Sequence, residues 1–249
     1  MARRYSKTGA LISKKMGHAI KQYSMIDDND TIMIGVSGGK DSLTMLKMLS
    51  DRRKFAPIKF NLHAVHIQPN FKQNKKLADY IQELCTELDI ACTIDHMDIE
   101  VKEDQSNCFW CSWNRRKKMF DLAKELKITK IALGHHKDDI IETTLLNMFF
   151  VGDFSTMNPY QEFFEGKVIM IRPMSYCEEK DIAAFAHEFG FKEIEGSCEY
   201  KGESQRAYIK QFIAELEKRT PQVKTNIFKS MSRVKKEYID LREEEDETA

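Results

Sequence analysis

The chain has 249 residues, 42% of them hydrophobic and 31% charged, which is enough apolar material for one α/β domain with appendages. No run reaches the roughly 18 apolar residues of a membrane span, and the charged N-terminal stretch lacks the apolar segment of a secretory signal, so a cytoplasmic protein with no membrane partner is expected. Lysine plus arginine (39) balance aspartate plus glutamate (39), so net charge names no partner class and only the distribution of charge is informative.

Residues 1–24 carry Arg3, Arg4, Lys7, Lys14, Lys15 and Lys21 and no acid. They read as a basic N-terminal helical arm: Leu11, Ile12, Met16, Ala19, Ile20 and Tyr23 recur at helical spacing over 10–24. Such an arm suits a polyanion such as RNA, and a solvated helix face is the alternative. Asp27-Asp28-Asn29-Asp30 then turns the chain into an apolar strand, Thr31-Ile32-Met33-Ile34. Directly after it comes Gly35-Val36-Ser37-Gly38-Gly39-Lys40-Asp41-Ser42, and after that a helical apolar pattern from Leu43 to Leu49. Strand, glycine turn and helix start aim backbone N–H groups at one point, an arrangement suited to phosphate. Ser37 and Ser42 add hydroxyls and Lys40 adds a charge. Ser37, Gly38, Gly39, Lys40, Asp41 and Ser42 are therefore candidate nucleotide-binding residues, against the plainer reading of a tight turn with a solvated Lys-Asp pair. The spacing is not GxxxxGK followed by Ser or Thr. The order SGGKDS resembles that of the PP-loop ATP pyrophosphatases, which hold ATP by its pyrophosphate and cleave it between the α and β phosphates.

A basic linker, Asp51-Arg52-Arg53-Lys54, and Pro57 lead to a second strand over 58–67, with His66 at its carboxyl end. A helix over 77–88 and a strand over 91–94 follow. A loop at 98–107 reaches Cys108-Phe109-Trp110-Cys111, and a helix bearing Arg115, Arg116, Lys117 and Lys118 runs on to Leu126. The strand at 130–134 ends in Gly134-His135-His136-Lys137-Asp138-Asp139 and leads into a helix at 140–150. Residues 151–166, rich in Gly, Asn, Pro and aromatics, read as a loop. A strand at 167–171 stops at Arg172-Pro173, and a helix at 178–189 is capped by Gly190. Cys198 falls in a loop, Pro221 splits helices at 203–219 and 222–242, and Glu243-Glu244-Glu245-Asp246-Glu247 makes an acidic tail.

Strands alternating with helices predict an α/β fold, a doubly wound mostly parallel sheet with N- and C-terminal helices. The chain divides into the arm (1–24), an ATP-binding α/β domain with an inserted CxxC segment (25–198), C-terminal helices (199–242) and the tail (243–249). Ligands of such sheets lie beyond the carboxyl ends of the strands. The glycine loop, His66 and the 134–139 segment should therefore meet there.

Asp138 or Asp139, with Asp41 as a second candidate, suits Mg²⁺, which takes one or two carboxylates plus phosphate oxygens. The alternative is a helix-capping acid. His135 and His136 read as structural or catalytic with equal weight. Of the six cysteines, Cys85 and Cys92 read as buried free thiols. Cys108 and Cys111 have metal-ligand spacing, yet one CxxC does not complete a zinc site. Cys198 offers a third thiolate, and Cys177 a fourth if the fold brings it there. Three thiolates suit an iron–sulfur cluster or sulfur-carrying chemistry, while an isolated loop cysteine is the plain reading of Cys198. The basic run behind the pair favours thiolate or is a solvated face. Trp110 and Trp113 read as core, with base stacking as the alternative.

Lys15-Met16, the SGGKDS loop, Cys108-x-x-Cys111 with Arg115-Arg116, Gly134 to Thr143, Asn147-Met148-Phe149, Arg172 to Ile182, Ser204-Gln205-Arg206 and Arg219-Thr220-Pro221 together resemble the tRNA 2-thiocytidine synthetases (TtcA), over about residues 10–235. The resemblance implies an adenine nucleotide alpha-hydrolase-like fold. It implies a tRNA sulfurtransferase that uses ATP and Mg²⁺ to adenylate the C2 oxygen of an anticodon-loop cytidine, at position 32, and replaces AMP by sulfur. It also implies a [4Fe-4S] cluster on Cys108, Cys111 and Cys198, with the open iron holding the incoming sulfur. Cys108, Cys111, Lys40 and Asp41 would be catalytic, and His66, Gly134, His135, Asp138 and Asp139 would join the loop in binding the nucleotide. tRNA and a sulfur donor (a cysteine desulfurase or free sulfide) would be partners, with a homodimer through the helices at 10–24 and 222–242. The stretch Gly196 to Gln205 departs from the family pattern: Cys198 lacks a preceding proline and a second cysteine. A cluster-free persulfide enzyme, a small-molecule PP-loop ligase and an ATP- or RNA-binding module with structural zinc are the alternatives.

Overall fold

The computed structural model describes residues 5–69, 74–97, 108–192, 194 and 205–238, with backbone alone at 108, 109 and 236. In chain order the elements are α1 (Lys7–Gln22), β1 (Asp30–Gly35), α2 (Lys40–Arg52), β2 (Phe60–Pro69), α3 (Lys75–Glu87), β3 (Ala91–Met97), α4 (Cys108–Glu125), β4 (Lys130–Ala132), α5 (Lys137–Leu146), β5 (Tyr160–Phe163), β6 (Val168–Ile171), α6 (Glu179–Phe189), α7 (Gln205–Arg219) and α8 (Val223–Ser230).

The strands form one sheet in the order β3-β2-β1-β4-β6-β5, parallel throughout except for β5, which runs antiparallel to β6. From β1 the chain winds outward through β2 and β3, then crosses back to β4 and winds the other way through β6. The order therefore reverses between β1 and β4, and the loops leaving those two strands open a crevice. β1 shows why both faces must be covered. Ile32 and Ile34 point into a core shared with α1, α2, α3 and α6, while Met33 points into a second core under α4, against Met119, Leu122 and Ala123. A strand buried on both faces reads as a continuous apolar run, as this one does. A third, smaller core joins α5 to α7 through Ile141, Leu145, Ile209 and Ile213.

Four expectations change. The stretch expected as an arm is, from Ser6 onward, a core helix. Ser6 caps it by accepting the Gly9 N–H, and Ile12, Met16 and Ala19 are fully buried. The loop expected at 151–166 contains β5, paired to the sheet edge and closed by Phe164 and Glu165 with positive φ and by Gly166. The helix expected to reach 150 stops at Leu146 and continues as a π-helical turn, Asn147–Val151. Of the helix expected over 222–242, α8 ends at Ser230, residues 232–235 are exposed, and 239–242 lie outside the described residues. The apolar sides of α1 and α8 are used within the chain, so neither offers the free face expected for pairing two subunits. Among the described residues no helix is long and apolar enough to cross a membrane.

Candidate active site

The turn after β1 is braced by its own side chains. Ser42 Oγ accepts the Ser37 N–H at 3.1 Å and donates to the Gly39 carbonyl at 3.0 Å, and Ser37 Oγ accepts the Gly39 N–H at 3.3 Å. Gly38 has φ +87°, and a Cβ there would stand 2.5 Å from a Leu77 methyl, so only glycine fits. Gly134 lets the end of β4 approach the first turn of α2: a Cβ would lie 3.1 Å from the Ser42 nitrogen. These contacts leave a cleft of about 460 Å³ at the β1/β4 crevice, and the three expected clusters do meet in it. Ser37, Asp41 and Ser42 come from the loop, His66 from β2, and Gly134, His135 and Asp139 from the β4–α5 turn.

Gly38, Gly39, Lys40 and Asp138 do not line the cleft. The glycines shape the loop, and Gly39 is the N-cap of α2. Lys40 reaches Glu179 Oε1 at 3.1 Å and Asp41 at 3.4 Å. Burial pulls the Lys40 ammonium down, but Asp41 and Glu179 outweigh it and hold its pKa above the usual lysine value. Asp138 instead accepts the first N–H of α6, from Glu179, at 2.8 Å and pairs with Lys224 at 3.0 Å. Asp139 completes a capping box with His136, taking the His136 N–H at 2.9 Å while His136 Nδ1 takes its own. His136 is thus the helix cap, and the remaining Asp139 oxygen faces Arg206 at 3.4 Å. Asp41 Oδ1 is buried and takes no hydrogen bond, although Lys40 Nζ lies 3.4 Å and His136 Nε2 3.7 Å from it.

Two histidines in the cleft are buried among groups that decide their protonation. His135 Nδ1 accepts from Arg172 Nε at 3.3 Å. Burial, followed by the Arg172 charge, pulls its pKa to about 4. His66 is 4% exposed and its Nδ1 lies 2.6 Å from the Val36 carbonyl oxygen. Burial lowers its pKa as well.

α4 supplies the remaining wall. It starts at Cys108, so Cys108 and Cys111 sit three residues apart in its first turn, on one side of the helix. Cys111 is half-buried with Arg115 Nη2 at 3.8 Å from its sulfur. Ser112, Arg115 and Arg116 line the cleft itself. The Cys108 side chain and Cys198 lie outside the described residues, and among those described no cluster of three Cys, His, Asp or Glu could hold a metal ion. Cys177 is buried in the α1/α6 core with its thiol pushed up to about 12 by burial, so it is not the fourth thiolate. Cys85 is a buried free thiol as expected, and Cys92 is half-buried. Trp110 packs into the α4 core, but Trp113, stacked on it at 5.5 Å, is 46% exposed with Lys117 over its ring, against the expectation of core packing. Lys15 is paired with Asp181 at 2.8 Å, while Lys7, Lys14 and Lys21 are exposed and Arg3 and Arg4 lie outside the described residues.

In the sequence, Arg172 and Glu179 had no role beyond their place in the 172–182 stretch of the family pattern, and Lys210 and Lys224 were passed over. Their partners lie far along the chain, and no local pattern announces them.

A family model described as a PP-loop domain matches residues 11–217. The tRNA-cytidine(32) 2-sulfurtransferase of Ralstonia pickettii is 41% identical over 229 residues, covering 90% of this chain and 72% of that protein. The protein of the same name from Vibrio vulnificus is 39% identical over 236 residues, 92% of this chain and 76% of its own. Among solved structures, the U34-tRNA thiolase NcsA from Methanococcus maripaludis with its [4Fe-4S] cluster has the same fold. Its TM-score is 0.75 at 24% identity, covering 94% of this chain and 81% of that one.

Proposed function

From the premise that the chain belongs to the PP-loop domain family, and within it to the family of the tRNA-cytidine(32) 2-sulfurtransferases, we infer that it is an ATP-dependent tRNA sulfurtransferase that converts cytidine 32 to 2-thiocytidine. The observation that carries this reading is that α4, whose first turn holds Cys111 packed against the second core, sends the next residues, Ser112, Arg115 and Arg116, into the cleft that the phosphate loop floors. A nucleotide site and a thiol site then serve one substrate.

The triphosphate belongs at the N-terminus of α2, where the N–H groups not used to brace the loop and the Ser37 hydroxyl give their hydrogen bonds, while Ser42 holds the turn in shape. Asp41 takes Mg²⁺ through Oδ1, which accepts no hydrogen bond and is released as Lys40, 3.4 Å away, turns to the phosphates. The C2 oxygen of cytidine attacks the α phosphorus and pyrophosphate leaves. Sulfur then bonds to C2 and the C2–O bond breaks, releasing AMP. Lys40 and the loop N–H groups stabilise charge developing on the phosphates. Arg115 and Arg116, on the α4 side, suit the RNA phosphates. A [4Fe-4S] cluster suits Cys108 and Cys111, three residues apart at the start of α4, with the Arg115 guanidinium 3.8 Å from the Cys111 sulfur, and Cys198 would be its third ligand. When bound, it supplies a site for activating sulfur. The sulfur comes from a cysteine desulfurase or free sulfide, and the enzyme acts in the cytoplasm. A homodimer is part of the reading, supported by the exposed Met148, Phe149, Phe150 and Val151 after α5 rather than by α1.

The test is anaerobic purification with iron and sulfide analysis, followed by incubation with Mg-ATP, unmodified tRNA and sulfide, reading 2-thiocytidine at position 32 by mass spectrometry. About four irons per chain, lost in Cys111→Ser and Cys198→Ala together with thiolation, is the expected result. ATP turnover without tRNA modification would move the protein to the small-molecule ligases, and zinc in place of iron to a binding module.

A further inference from the structure

The His66 ring is fixed in one tautomer. A carbonyl oxygen only accepts, so the 2.6 Å contact with the Val36 carbonyl places the proton on Nδ1. The ring is neutral, because it is buried and because Arg115 and His96 oppose a further positive charge. Nε2 therefore presents a lone pair. His66 lines the cleft, and its Nε2, out of contact with solvent, takes no hydrogen bond among the described residues. Buried polar atoms without a protein partner are uncommon, and in a cleft they mark where a ligand supplies the missing group. Here the missing group is a donor, which a phosphate oxygen cannot provide.

The position of His66 narrows the ligand atom further. Val36, whose carbonyl holds the ring, is the residue immediately before the phosphate loop, so His66 flanks the phosphate end of the cleft without belonging to it. Val36, Ile67, Leu77 and Leu133 are apolar residues that line the same cleft. A flat heterocycle carrying one donor suits such a place.

We propose that His66 Nε2 accepts a hydrogen bond from the 6-amino group of adenine, and that His66 selects ATP over 6-oxopurine triphosphates. A keto oxygen at that position would face the lone pair, leaving two acceptors in contact with no proton between them. The proposal rests on the reading of the cleft as an ATP site and adds the residue that chooses the base.

The experiment measures equilibrium affinities of the magnesium complexes of ATP, purine riboside triphosphate and ITP for the anaerobically purified protein. The order expected is ATP, then the purine analogue lacking the amine, then ITP, with ATP ahead of ITP by at least about tenfold, since a site built around a polar contact rejects the analogue that cannot make it. In His66→Phe, which keeps a ring without the lone pair, and in His66→Leu, that ratio falls to within about threefold because ATP weakens and ITP does not. A general loosening of the cleft would weaken both nucleotides equally, so the ratio is read rather than either affinity alone. Wild-type protein that binds ITP as well as ATP overturns the proposal without needing a variant. A preference that survives in both variants overturns it too, and assigns the choice to backbone groups. Absence of ATP binding would overturn the proposal along with the ATP site, whereas selectivity that depends on His66 in a protein that does not thiolate tRNA upholds it and sinks only the assignment of reaction.

Discussion

Arg172→Met separates what a buried guanidinium costs from what it does. Arg172 is 3% exposed, and among the described residues no carboxylate pairs with it. Its Nε donates to His135 Nδ1 at 3.3 Å and its Nη1 to the Asn158 carbonyl. Burial first, then the Arg116 charge, pulls its pKa from 12.5 to about 10. At 1.36 kcal/mol per pH unit, that fall of 2.5 corresponds to about 3 kcal/mol by which the fold disfavours the charge. Two hydrogen bonds from a charged donor return about 1.5–3 kcal/mol each. The hydrogen bonds together, about 3–6 kcal/mol, equal the cost or exceed it by up to about 3 kcal/mol, and methionine fills much of the same space. Arg172→Met should therefore lower unfolding free energy by no more than about 3 kcal/mol at pH 8, the low end of the about 3–5 kcal/mol that breaking a buried ion pair costs. His135 should change much more. Without the Nε–H, Nδ1 is free to take a proton, and the ring moves from about 4 back toward 6.5. Urea unfolding gives the first quantity. Proton–nitrogen NMR of the histidine rings between pH 4 and 8, assigned with His135→Gln, gives the second. Wild-type His135 should stay in its Nε2–H form to below about pH 5 and the variant should not. A loss above about 4 kcal/mol, or an His135 titration that Arg172→Met leaves alone, would refute the reasoning.

Gly38→Ala should destabilise the protein by at least about 1–2 kcal/mol from the left-handed backbone alone, with the contact of its Cβ on Leu77 at 2.5 Å added. Adding Leu77→Ala should relieve the contact and leave the backbone part, so a double variant as stable as wild type in thermal unfolding would contradict the assignment. The depressed His135 pKa makes stability depend on pH with a definite sign. Between about 4, its folded value, and 6.5, its usual one, the unfolded chain binds the proton and the folded one does not, so stability rises with pH. The contribution is full above 6.5 and is lost as pH falls to about 4. It amounts to about 3 kcal/mol, and His135→Gln should flatten that part of the profile in urea titrations.

What was legible in the sequence is what short-range chemistry fixes. The strand–loop–helix of Thr31 to Leu49 announces itself because glycine, hydroxyl and apolar residues must follow one another at those spacings to make an anion cradle. His66, Gly134, His135 and Asp139 were placed correctly because parallel strands must end at one edge. The residues that tune them were not legible. Arg172 meets His135 across 37 positions because β6 lies beside β4, and Lys224 meets Asp138 across 86 because α8 packs against α5. Asp138 and Asp139 are adjacent and alike in sequence, yet helix geometry turns one toward the cleft and the other toward the first turn of α6. β5 was read as loop because it is a four-residue edge strand, none of it fully buried, which needs no alternating apolar pattern.

The C-terminal helices are part of the electrostatics of the site. Arg206 faces Asp139, Lys210 faces Glu179 and Lys224 faces Asp138, so each of three acids around the cleft has its cation on α7 or α8. Glu179 matters most, because it also holds the lysine of the phosphate loop. Burial alone would raise its pKa, but Lys210 and Lys40 together bring it down to about 2. Lys40 sits on one of its oxygens at 3.1 Å and Lys210 on the other at 2.6 Å. When a triphosphate draws Lys40 away, Glu179 keeps Lys210 and no charge is left buried without a partner. A lone Lys40–Glu179 pair would have resisted that exchange by the cost of an orphaned carboxylate, about 3–5 kcal/mol for a buried one. The second lysine removes most of that resistance, so α7 both holds α6 in place and lets the loop lysine change partners.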